Sequence, residues 1–391
     1  MASLLSSAQA CSGLAELITR GDNAAALRLL GQVAMARSAA GLLLLPAIGR
    51  LADRYGRKWA LTVTAGVTTF GQVLTAVYPS AATLLLGQAL TGALAVGGAN
   101  DAIRDAALAD LLSNAELALA VARTRALMAI GMICGPLLGG IVAGRDIRLP
   151  FVLAAAASAL GTALCALRLP ETQPADRRTA VAAIQDAEGG VLAPSRCLNP
   201  VTSMELLRRS AKLRWLTIAC ALSMGSEFNG DVLPLFCRSR LGWDSSAVGK
   251  LTSVGGILAV VSSAACGSVL GAVGRRATVL MGTTGHLLRN LLVSMARSDE
   301  AMYVSQLGIL FGGITIRLSP LMSLHTEVAM QDGLQGAEAT AMRGNAFALM
   351  RLVVPVAMTK LYASGRKGAP YLLSAALAAG AGGIILSTPD V

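Results

Sequence analysis

The sequence predicts an all-α, polytopic membrane protein of two helix bundles with about eleven spans. Three observations carry this: an apolar composition, apolar runs that recur at span length, and a one-sided distribution of basic residues. Of 391 residues, 54% are hydrophobic and 14% charged, and the mean hydropathy is +0.62. That mix lies outside the range of soluble domains. The runs fall at about 29–48, 59–78, 81–100, 126–143, 149–168, 214–236, 247–270, 277–296, 302–323, 345–363 and 369–387. Each approaches the roughly 20 residues that cross a bilayer.

A large soluble helical protein rich in alanine is the competing class, and the aromatic residues argue against it. Trp59, Trp215, Tyr78, Tyr303, Tyr362 and Tyr371 fall at or near ends of these runs, and Trp243 precedes another. Amphipathic rings favour the membrane surface. The bases sort by loop. One alternate set of loops holds Arg50, Arg54, Arg57, Lys58, Arg104, Arg123, Arg125, the bases from Arg168 to Arg214, Arg275, Arg276 and Arg343. The other set, with Arg145, Arg148, Arg238, Arg240, Lys250, Arg297, Arg366 and Lys367, is less than half as rich. This bias assigns the first set to the cytoplasm. It also accounts for the net charge of +11 without nucleic acid, for which no motif is present. The expected partners are a small-molecule substrate and the lipid bilayer.

The seven cysteines have no metal-ligand spacing, and Cys134, Cys165, Cys220 and Cys266 sit within apolar runs as small hydrophobes. No metal and no cofactor is implied. The opening MASLLSSAQACSGLAELITRGD lacks the basic start and long apolar core of a signal peptide. It is also too polar to be expected as a span.

Residues 169–213 form the longest polar segment, with four prolines, a glycine pair and mixed charge. This reads as a cytoplasmic linker. The expected organisation is therefore an N-terminal bundle over 1–168 with five spans, the linker, and a C-terminal bundle over 214–391 with six. The halves echo each other: GRLADRYGRK follows the first clear span, and GSVLGAVGRRA at 267–277 follows the second span after the linker. Repeats of this kind build many secondary transporters, with the substrate site between halves.

GRLADRYGRK resembles the signature loop of the major facilitator superfamily between its second and third spans, with Gly49, Leu51, Asp53, Arg54, Gly56, Arg57 and Lys58 matching. The chain must reverse tightly at the membrane surface, which favours glycine. Asp53 can cap a helix N-terminus or pair with an arginine in one conformer of a rocking machine. Arg54, Arg57 and Lys58 hold the turn beside anionic lipid. GMICGPLLGG at 131–140 is similar to the family's antiporter motif through Gly131, Gly135, Pro136, Gly139 and Gly140. Small residues four apart let helices approach closely, and Pro136 removes a backbone bond. RLPET at 168–172 and GNAFALMRLVVPVAMTKLY at 344–362 resemble the family's sixth-span exit and eleventh span. The resemblance covers residues 29–387 and is nearest to the twelve-span tetracycline-efflux-like exporters, which implies efflux with protons as a candidate coupling ion.

The chain departs from that pattern in two places. In LLLGQALTG, 84–92, Gln88 stands where the family's fourth span carries a buried arginine. Gln cannot carry that charge, which weakens proton coupling by this route. Before residue 29, Arg20, Asp22 and Arg28 interrupt any apolar run, so the family's first span is expected to be missing or degenerate. Within the spans, Glu227 and Asp231 lie four apart on one helix face, and Arg37, Arg289, Arg317 and Arg351 each require a partner or a watery lumen. Gln88, Glu227, Asp231 and Arg317 are the candidate path residues. His286 and His325 read as structural. No nucleotide-binding loop G-x-x-x-x-G-K-[ST] appears, so no ATP-driven pump is expected, and with two histidines, neither in a ligand-spaced motif, no enzyme is expected. The alternative to a transporter is a transport-incompetent scaffold that binds solute.

Overall fold

In a computed structural model the described residues are 8–19, 23–94, 100, 103–104, 107–108, 111, 114–176, 178–179, 183, 210–230, 232–332 and 336–388. The helices in chain order are α1 (Ala8–Ile18), α2 (Asn23–Tyr55), α3 (Arg57–Val77), α4 (Ala81–Leu94), α5 (Asn114–Ala143), α6 (Leu149–Arg168), α7 (Ala211–Gly225), α8 (Leu233–Leu241), α9 (Ser245–Met295), α10 (Asp299–Gln306), α11 (Gly308–Gly312), α12 (Ile314–Gln331), α13 (Gly336–Ala363) and α14 (Ala369–Ser387). Among the described residues, six helical stretches are long and apolar enough to cross a membrane, and α9 holds two of the predicted runs joined at Gly274. The chain forms two units, Met1–Pro194 with Ser245–Lys250 and Ser195–Asp244 with Leu251–Val391. Most of the polar segment 169–213, the end of the run at 81–100, and Asp231 lie outside the described residues.

In the first unit, helices approach where side chains are small. A Cβ at Gly71 on α3 would lie 3.1 Å from Gly87 O on α4. Beside α6, the Thr69 hydroxyl donates to Ser158 Oγ at 2.9 Å, and the Ser158 hydroxyl reaches Ala65 O at 3.3 Å. In lipid, where burying apolar surface gives helices no reason to associate, close backbones and hydroxyl bonds of this kind hold a bundle together. The opening stretch, read as too polar to span, holds the helix α1. Cys11, Leu14 and Ala15 of α1 are buried, and α1 packs on α2 and α5. Its eleven described residues rise about 16 Å, half of a bilayer core.

The second unit departs from straight spans. The run 214–236 divides into α7 and α8 around a turn at 226–230. The run 302–323 is stepped into α10, α11 and α12, and Gly313 at φ −58°, ψ 149° caps α12. A Cβ at Gly282 would lie 3.1 Å from Arg317 Cα, and one at Gly285 would lie 2.7 Å from Gly312 N. These glycines press the second half of α9 against α11 and α12. At one end of the unit, Trp243 donates to Asp299 Oδ1 at 2.7 Å and packs 5.8 Å from Tyr303.

Candidate functional site

The turn predicted at 49–58 is a single residue. α2 ends at Tyr55, α3 begins at Arg57, and Gly56 between them sits at φ 106°, ψ 158°. That backbone region is essentially restricted to glycine. Asp53 pairs with Arg57, one turn on, at 2.6 Å. The capping role open to Asp53 belongs instead to Glu171, whose Oε1 accepts from the backbone N–H of Arg57 at 2.9 Å. A carboxylate suits the positive end of α3. The same oxygen accepts from the backbone N–H groups of Thr172 at 3.0 Å and Gln173 at 3.1 Å. Gln173 Nε2 in turn donates to Asp53 O at 3.0 Å. The start of the polar segment is thus locked under the turn. Arg54 lies over the Tyr55 ring at 5.9 Å, Lys58 is half-buried in the first turn of α3, and nothing lies within 4 Å of a Cβ at Gly49.

The repeat at 267–277 reproduces the break. Gly274, immediately before Arg275 and Arg276, has φ 78°, ψ 171°. Here the bases find other partners: Arg275 pairs with Glu327, and Arg276 donates to Leu386 O at 2.9 Å.

Gly131, Gly135, Pro136, Gly139 and Gly140 are all buried on α5. A Cβ at Gly249, in the Ser245–Lys250 piece of the first unit, would come 2.8 Å from Pro136 O and 3.4 Å from Gly140 Cα. The motif therefore makes a close backbone contact. Gln88 is buried, and its Nε2 has no hydrogen-bond partner. One turn on, Gly92 leaves a notch for Arg37: a Cβ there would lie 2.7 Å from Arg37 Cδ.

A dense polar cluster lies in the second unit, around the break between α7 and α8. Arg317, fully buried, pairs with Glu227. The same guanidinium donates to Ser223 O at 2.7 Å, Ser223 Oγ at 3.0 Å and Ser226 Oγ at 2.8 Å. The turn frees Ser223 O from helix bonding, since the Glu227 N–H goes to Met224 O, and the Gly282 contact brings the Arg317 backbone within reach. His286 Nδ1 lies 3.5 Å from Glu227 Oε1. Asn229 Nδ2 donates to Asn290 Oδ1 at 2.6 Å and Ser374 Oγ at 3.1 Å. Glu227 keeps 26% of its side chain exposed, so the cluster is reachable. Arg317 and Glu227, named separately from the sequence, are here one pair. Glu171, Asn229 and Asn290 carry no site motif of their own in the sequence, although RLPET contains the first of them.

The sequence pattern of the Major Facilitator Superfamily matches residues 7–355. The chain belongs to the major facilitator superfamily. It is a multi-pass integral membrane protein and a secondary transporter. Tetracycline resistance protein class C of Escherichia coli is 24% identical over 338 residues, 85% of this chain and 80% of that protein. Class D of Salmonella ordonez is 26% identical over 299 residues, 74% and 70% of the two chains. Among solved structures, the human organic anion transporter MFSD10 matches with TM-score 0.64 and 20% identity over 98% of this chain and 95% of its own. The nucleoside transporter NupG matches with TM-score 0.68 and 16% identity over 99% and 97%.

Proposed function

We propose that this major facilitator exports a small organic solute by alternating access, with Glu227 and Arg317 on the solute path and the turn at 49–58 latching one state. The observation that carries the path assignment is the Glu227–Arg317 pair at a broken helix. Charged groups at membrane depth are costly, and a partly exposed pair beside unwound backbone fits a solute route better than a packed core does. The resistance proteins among its relatives favour a drug-like solute and outward movement. The test is flux into inside-out proteoliposomes of the purified chain, with tetracycline as the probe. Uptake that falls at least tenfold in Glu227→Gln supports the reading. Binding of the probe without flux overturns it in favour of a solute-binding scaffold.

One observation favours a finer reading, exchange for protons: the buried small-residue face of α5 keeps the form of an antiporter helix. In that reading Glu227 alternates between a proton and Arg317. An imposed pH gradient then drives uptake, and flux indifferent to the gradient removes the proton from the cycle.

A further inference from the structure

A second polar site lies toward the other end of α12, on a different face of that helix. Arg317, Leu321, Leu324 and Val328 recur at three- and four-residue intervals and form its buried face. Met322, Thr326, Glu327 and Met330 fall on another face, where with Arg343 of α13 they line a cavity of about 670 Å³. That size lies in the range that small ligands fill. Arg343 is 7% exposed. Its Nη1 donates to Met322 O at 3.3 Å and to Thr326 Oγ1 at 3.2 Å, and the Thr326 hydroxyl donates onward to Met322 O at 3.0 Å. One nitrogen of the guanidinium is thereby tied to the cavity wall. Nε and Nη2 make no hydrogen bond among the described residues. The lining carboxylate, Glu327, pairs with Arg275 rather than with Arg343. An edge formed by Nε and Nη2 suits two oxygens of one anion at once.

The position of the cavity chooses the anion. Arg275, Arg276 and Arg343 belong to the loops that the basic bias assigns to the cytoplasm. The stretch from α10 to the end of α12 runs 33 residues, about 50 Å of helix against about 30 Å of hydrocarbon, so its last turns stand at headgroup depth. Met330, 60% exposed, gives the cavity an apolar lip. A buried arginine at that depth, beside an apolar lip, matches a phosphate that carries acyl chains. We infer that the cavity binds the phosphate of an acidic phospholipid of the cytoplasmic leaflet, with Arg343 holding two phosphate oxygens through Nε and Nη2 and the acyl chains leaving past Met330. The site lies on a different face of α12 from the Glu227–Arg317 pair and does not depend on the solute path proposed there.

The test is native mass spectrometry of the full chain in detergent with equal amounts of dioleoyl phosphatidylglycerol and dioleoyl phosphatidylcholine, whose own choline offsets its phosphate. The parent chain should retain phosphatidylglycerol about tenfold over phosphatidylcholine. Arg343→Gln should bring that ratio close to one. Met330→Glu sets an acid at the lip, on an exposed position that the fold does not use, and should lower the ratio several-fold while melting like the parent. This second variant decides the matter where Arg343→Gln fails to fold. Equal retention of the two lipids by the parent, or a ratio unchanged in Met330→Glu and in any folded Arg343→Gln, would overturn the inference. Glycerol 3-phosphate that displaces phosphatidylglycerol mole for mole would make the occupant a soluble phosphate ester and reject the lipid. Displacement by tetracycline would reject it too, placing the cavity on the solute route.

Discussion

Gly56→Ala and Gly274→Ala impose the same backbone change at equivalent breaks in the two halves and should differ in cost. Both glycines occupy a region where another residue costs about 1–3 kcal/mol. Around Gly274 nothing lies within 4 Å of an added Cβ, so backbone strain is the whole cost. At Gly56 the added carbon would lie 2.6 Å from Glu171 Cδ, and the carboxylate must move. Moving it surrenders the bond to the Arg57 N–H at 2.9 Å, a charge-assisted cap worth about 1–2 kcal/mol. Gly56→Ala should therefore exceed Gly274→Ala by about 1–2 kcal/mol, a factor of roughly 5–30 in the folded ratio. Denaturant unfolding of the detergent-solubilised chain measures this. In a Glu171→Ala background the excess at Gly56 should vanish, while the cost at Gly274 should persist. Equal costs at the two glycines, or an excess that survives removal of Glu171, would refute the clamp.

Three further outcomes follow from the packing. Glu227→Gln strands the buried Arg317 guanidinium and should destabilise the second unit by about 3–5 kcal/mol, with Arg317→Met added to it restoring most of the loss in a thermal melt. Gly285→Val forces α9 off α11 and should lower the melting temperature sharply, whereas Gly383→Val, with open space around it, should leave it unchanged. Trp243→Phe keeps the ring but loses the 2.7 Å bond to Asp299, and urea titration should register about 1 kcal/mol.

The apolar helices and the reversal at Gly56 were legible because each is local: hydropathy at span length, and a glycine next to paired bases. Partners distant in sequence were not. Glu171 stood in view within RLPET, yet its bond to Arg57 closes over 114 residues, and no periodicity encodes that. Glu227 and Arg317 each announced an unpaired charge, but their meeting depends on Gly282 letting two backbones touch. Tyr371 read as an interfacial ring because it opens a span; its burial against Phe236 comes from the α7–α8 bend that brings Phe236 across.

The clamp of Glu171 and Gln173 on the reversal at Gly56 limits how the protein can be re-engineered. A fluorescent reporter or protease site spliced between Arg168 and Gln173 would prise the carboxylate from the start of α3 and report on a disturbed turn. Fusing anything there would sever what ties the exit of one span to the bend between two others.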